Sequence, residues 1–187
     1  MRYDIRSRAW DHGGRPVSLT SISQGQYSIS DDPDAVITTV LGSCVAACIR
    51  DPKRGVGGMN HFVLPEPPTP LSAQDDPSRY GSYLMQRLID GLLEAGANPY
   101  RLEAMVFGGA SPGGSFYNIG ARNMAFAREF LADRGIAVVD SICGGRAGCK
   151  LEYWPASGKL VHTRLGKTEK PKPPRIKLRR VLPLAAA

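Results

Sequence analysis

The chain has 187 residues and a formal net charge of +7, enough for one well-filled core and short for two domains. A hydrophobic fraction of 42% is ordinary for a soluble globular protein. The longest apolar run, Val40 to Ile49, is too short to cross a bilayer, and the opening Met1-Arg2-Tyr3-Asp4-Ile5-Arg6 lacks the apolar centre of a secretion signal. The expectation is a cytoplasmic protein without membrane insertion.

In chain order, residues 1–24 are polar, contain glycine and show no clear period, and read as a loosely ordered arm. Gln26-Tyr27-Ser28-Ile29-Ser30 alternates as a first strand before the turn Asp31-Asp32-Pro33-Asp34. Ala35 to Val40 leads into a central stretch, where the apolar run Val45 to Ile49, the turn Asp51-Pro52-Lys53-Arg54-Gly55 and the return Gly57 to Leu64 read as a strand pair. Residues 66–76 form a loop. Asp76-Pro77 opens a helix, an acidic cap followed by proline. Tyr80, Tyr83, Leu84, Leu88, Leu92 and Ala95 line its inner face, and Gly96 with Asn98-Pro99 ends it. A strand over Leu102 to Phe107, a glycine-rich segment over Gly108 to Ile119, a second helix over Gly120 to Arg134 and a strand over Ile136 to Val139 follow. The end is a hairpin, Lys150 to Trp154 and Lys159 to Leu165, around Pro155-Ala156-Ser157-Gly158. Hairpins at both ends argue against a doubly wound parallel sheet, so the fold class is α+β, with one domain over 25–166.

The excess charge is local. Between Lys167 and Arg180, seven Lys/Arg against Glu169 give +6, so the remainder is nearly neutral. Pro171, Pro173 and Pro174 argue against a helix, and the absence of aromatic residues removes the stacking platform of single-strand nucleic-acid binders. Residues 167–187 read as a solvated basic tail rather than a nucleic-acid interface. Attraction to an anionic lipid surface is the alternative. The four cysteines, Cys44, Cys48, Cys143 and Cys149, are too few for a disulfide scaffold in a chain this long, and their spacings do not suit zinc. Neither metal nor cofactor is expected.

The central strand pair can bring Cys44, in the small-residue setting Leu41-Gly42-Ser43, close to His61. A thiol attacks as thiolate, and its ordinary pKa of about 8.5 leaves little thiolate at neutral pH. A neighbouring imidazole takes the proton and later delivers it to a leaving group. Against this stand the common inert buried cysteine and the common structural histidine.

The run Leu41-Gly42-Ser43-Cys44-Val45, the segment Gly57-Gly58-Met59-Asn60-His61-Phe62-Val63-Leu64-Pro65, the motif Val106-Phe107-Gly108-Gly109-Ala110 and Ile119-Gly120-Ala121-Arg122-Asn123 closely resemble the CheD family of chemoreceptor glutamine deamidases, over about residues 25–165. The resemblance implies a β-sandwich flanked by helices, an α/β/β/α cysteine-hydrolase-like architecture. It implies amide hydrolysis, and hydrolysis of glutamyl methyl esters, on the cytoplasmic helices of methyl-accepting chemoreceptors. It also implies Thr38 as the group that orients His61. Thr39 next door points the other way on a strand, so only one of the pair serves. For the oxyanion, main-chain N–H groups around Gly42, Ser43 and Cys44 are candidates. The 108–114 loop with Ser111 is either a second wall or a flexible surface loop. One departure from the family pattern is at Cys149-Lys150, where a basic pair commonly precedes the last hairpin and one basic residue remains. The family further implies a CheC-type phosphatase partner and a monomer when unbound. A regulatory binding module working through that partner is the competing reading.

Overall fold

The computed structural model describes residues 6–11, 13–111 and 118–166. The basic tail and residues 112–117 of the glycine-rich loop lie outside the described residues.

The strands run β1 (Arg6–Trp10), β2 (Pro16–Ser21), β3 (Gln26–Ser30), β4 (Ala35–Leu41), β5 (Val45–Asp51), β6 (Val56–His61), β7 (Glu103–Gly108), β8 (Ala137–Cys143), β9 (Cys149–Tyr153) and β10 (Leu160–Arg164). They make two five-stranded sheets, ordered β1-β2-β4-β9-β10 and β3-β6-β5-β7-β8. Each sheet is mixed: β2 with β4 and β7 with β8 are parallel pairs and the others antiparallel. The helices are α1 (Gly81–Glu94) and α2 (Ile119–Ala132).

Alternation along β5 builds two cores from one strand. Cys44, Ala46 and Cys48 face the first sheet, joining Ile37, Leu41, Leu151 and Tyr153 between the sheets. Val45, Ala47 and Ile49 face the helices, packing on Leu84, Leu88, Leu92, Ala127 and Leu131. A strand buried on both faces reads as a continuous apolar run, as Val45 to Ile49 does.

The α+β class stands, with three corrections. Both helices pack against the second sheet, so the layers run sheet, sheet, helices instead of α/β/β/α. The outer face of the first sheet leaves Val40 57% exposed. The segment read as a loose arm contributes two strands: Val17 and Leu19 of β2 pack with Val36 and Trp154 on that outer face. The first helix also starts later than expected. Asp76 caps a short 3-10 turn over Pro77–Arg79, and α1 follows it.

The far end of the central hairpin is locked by Asp51. Its buried carboxylate accepts from the N–H groups of Lys53, Arg54 and Asn98, and from Arg101 Nε and Nη2 at 3.1 and 2.6 Å. These donors, Arg101 foremost, hold its pKa well below the usual carboxylate range.

Candidate active site

The site forms where the β5–β6 ladder opens. Val45 and Phe62 exchange both main-chain hydrogen bonds, at 3.2 and 3.0 Å. One step along, the N–H of Ala47 donates to Asn60 Oδ1 at 2.9 Å in place of a carbonyl, and regular pairing resumes only at Cys48 and Met59. Asn60 points toward the helices, where its Nδ2 meets Met85 Sδ at 3.2 Å. His61 therefore points the other way, between the sheets. Cys44 lies two residues before Ala46, the residue facing His61 across the opening, so it shares that face as His61's diagonal neighbour. Such pairs have Cβ atoms within about 7–8 Å.

His61 is oriented from the opposite sheet. Thr39 Oγ1 lies 2.8 Å from His61 Nδ1 and also donates to the carbonyl of Ile22 at 2.8 Å. A hydroxyl has one proton, and a carbonyl can only accept. With that proton committed to Ile22, Oγ1 must accept from His61, so Nδ1 carries the ring proton. Nε2 is then the bare lone pair, and among the described residues it is buried without a hydrogen-bond partner. An unpaired buried acceptor on the same face as a thiol is available to receive a proton.

Thr38 does not reach the imidazole. Its hydroxyl donates to the carbonyl of Leu151 at 2.7 Å. The reason is the period of two: Thr39 shares its face with Ile37 and Leu41 in the inter-sheet core, and Thr38 shares the outer face with Val36 and Val40. The contact expected of Thr38 is made by Thr39.

Three further segments hold the cysteine. Gly109 and Ala110 donate main-chain N–H groups to the carbonyls of Cys44 and Gly42, at 2.9 and 2.8 Å. Gly108, at φ +109°, passes so close that a Cβ there would collide with the Cys44 carbonyl. From α2, Asn123 Nδ2 donates to the carbonyls of Ser43 at 3.1 Å and Val63 at 2.8 Å, tying the turn before Cys44 to the strand leaving His61. From the β2–β3 connection, Gln24 Nε2 donates to Cys44 Sγ at 3.5 Å. Gln24, Thr39 and Asn123 were not assigned roles from sequence. Asn123 stands within a resembling motif, and that was its only signal.

Gly42 and Ser43 sit in the turn, and among the described residues their main-chain N–H groups have no acceptor. Beside them opens a groove of about 400 Å³, floored by Gly42, Gly108 and Ala110 and walled by Ile142, His162 and Arg164. Ser111 is not part of this lining; its N–H donates to the carbonyl of Gly145 at 2.9 Å, fastening the glycine-rich loop to the β8–β9 connection.

Burial sets the protonation states. It pushes the Cys44 thiol above its ordinary pKa, against the pull of the residue's own N–H and of Gln24. It pulls His61 down to about 4. At neutral pH the resting pair is thiol and neutral imidazole.

A family model described as CheD chemotactic sensory transduction matches residues 63–164, more than half of the chain. A protein of Rhizobium etli (strain CIAT 652), named probable chemoreceptor glutamine deamidase CheD, is 56% identical over 138 residues, 74% of this chain and 75% of its own. One of the same name from Rhizobium meliloti (strain 1021) is 55% identical over the same shares, and one from Caulobacter sp. (strain K31) is 47% identical over 155 residues, 83% of this chain and 81% of its own. Among solved structures, a crystal structure of a Neisseria meningitidis protein superposes with a TM-score of 0.43 at 12% identity, covering 73% of this chain and 57% of its own; so remote a likeness bears on neither fold nor function. By the extent of the family match and by these identities, the chain belongs to the CheD family.

Proposed function

We infer that this protein deamidates glutamine side chains of chemoreceptors, as its relatives' names say of them, and that Cys44 and His61 do the chemistry. The observation that carries the mechanism is the Thr39–His61 contact, which leaves Nε2 as a bare base on the face that holds Cys44. The glutamine enters from the groove beside Gly42. As Cys44 Sγ bonds to the amide carbon, its proton passes to His61 Nε2 and the carbonyl π pair moves onto oxygen. The N–H groups of Gly42 and Ser43 face the developing oxyanion. When the tetrahedral intermediate collapses, the C–N bond breaks, His61 returns the proton to nitrogen, and ammonia leaves a thioester. Water then gives a proton to His61 and attacks the thioester. The C–S bond breaks, the proton returns to sulfur, and the γ-carboxylate of glutamate is released.

A glutamyl γ-methyl ester has the same acyl group with methanol as leaving group, so the same route hydrolyses it. The proposal extends to a cysteine-hydrolase-like kinship of the fold, a cytoplasmic location facing the receptor helices, a monomeric unbound state and a CheC-type phosphatase as binding partner. The test is incubation with cytoplasmic receptor fragments, read by peptide mass spectrometry. Gln-to-Glu conversion is expected from the native protein and lost in Cys44→Ala and His61→Ala. Equal conversion by Cys44→Ala, or none by the native protein on any folded fragment, contradicts the proposal.

A further inference from the structure

We propose that Gln24 is a catalytic residue, the side-chain donor of the oxyanion hole; this rests on the reading of Cys44 as nucleophile. The β2–β3 connection that carries it crosses from one sheet to the other and is pinned to the site at both ends. The N–H of Ile22 donates to the carbonyl of Thr38 at 2.9 Å, and the Ile22 carbonyl receives the Thr39 hydroxyl. The N–H of Gly25 donates to the carbonyl of His61 at 2.8 Å. Between these anchors Gln24 extends its amide to Cys44 Sγ, and among the described residues no other side chain hydrogen-bonds the sulfur.

Position separates the roles of its neighbours. His61 is 3% exposed and lies within the inter-sheet core, on the face that holds Cys44. Gln24 is exposed and meets the thiol from the solvent side. When sulfur attacks, the carbonyl oxygen comes to rest one bond beyond the carbon that sulfur has joined, and charge passes from sulfur to that oxygen. A donor already on the sulfur needs only a small swing to follow the charge, and preorganised donors at the developing charge dominate acyl-transfer catalysis. Gln24 thus completes from the solvent side the set that Gly42 and Ser43 begin from the main chain. An exposed side chain can be truncated without disturbing the core, so the substitution reports on function.

The experiment compares native protein, Gln24→Ala, Gln24→Glu and Cys44→Ala in steady-state deamidation of a receptor fragment. Peptide-resolved alkylation of Cys44 by iodoacetamide runs alongside, a displacement that forms no oxyanion. Gln24→Ala should lower kcat by about 100-fold, with KM and the alkylation rate each within about threefold of native, and Gln24→Glu should be no better. Retention of kcat within about threefold in Gln24→Ala overturns the proposal. So does an alkylation rate that falls in step with kcat, because the whole effect of Gln24 would then lie in its hold on the thiol. Undiminished turnover by Cys44→Ala overturns the reading of the nucleophile, and this role with it.

Discussion

The two adjacent threonines make the sharpest test of the site's geometry. Thr39 holds the imidazole tautomer, whereas Thr38 only ties its hydroxyl to the Leu151 carbonyl. In Thr39→Val the acceptor for Nδ1–H is lost, and the Ile22 carbonyl loses its hydroxyl donor. The loss is greatest when His61 is protonated in the transition state, where a hydrogen bond to a charged group is worth about 1.5–3 kcal/mol. At about 1.4 kcal/mol per tenfold, kcat should fall by about 10- to 100-fold. Thr39→Ser keeps the hydroxyl and should keep most activity. Thr38→Val removes one neutral hydrogen bond, costing about 1 kcal/mol of stability and a Tm drop of about 2–4 °C, with kcat near native. Deamidation kinetics and thermal melts of the three variants decide the matter. A large kcat loss in Thr38→Val with Thr39→Val near native would refute the reasoning.

Further outcomes follow from His61, Asn123 and Asp51. His61 is pulled from 6.5 to about 4, so between those pH values the unfolded chain binds a proton that the folded chain refuses. Stability should therefore fall as pH drops through this window, by up to about 3 kcal/mol, and denaturant melts of His61→Leu should lack that component. The acid limb of kcat/KM should likewise sit near pH 4. Asn123→Leu removes two hydrogen bonds, to Ser43 and Val63, and also an acceptor, Oδ1, that is buried unpaired among the described residues. It should melt within several degrees of native while kcat falls about 10-fold or more from misplacement of Cys44; an unchanged kcat would contradict this. Asp51→Asn weakens a buried carboxylate with several donors and should cost about 2–4 kcal/mol in a chemical melt, with kcat of the folded protein unchanged.

How legible each part was depends on whether its signal was local. The Cys44–His61 hairpin was readable because an apolar run, a Pro/Gly turn and a return strand are neighbours in sequence. That Asn60 and His61 point to opposite sides also followed from alternation. The choice between Thr38 and Thr39 was not readable, because Val36 and Val40 make the outer face of β4 as apolar as Ile37 and Leu41 make the inner one. β1 and β2 were missed because β1 is a charged edge strand and the apolar residues of β2 serve a small outer cluster instead of the main core. Gln24 and Asn123 reach Cys44 and Ser43 across 20 and 80 residues, and no local pattern records such contacts. The resemblance implied a helix layer on both sides; the exposed Val40 and the packing of both helices on one sheet correct it.

The central claim is a thioester at Cys44, and the most direct measurement is intact-protein and peptide mass spectrometry of turnover mixtures quenched in acid, with and without hydroxylamine. The account predicts a transient adduct on Cys44 with the mass of the glutamine peptide less ammonia, diverted by hydroxylamine to the γ-hydroxamate and absent from Cys44→Ala. Glutamate formed at the native rate with no adduct at any time and no hydroxamate would contradict it.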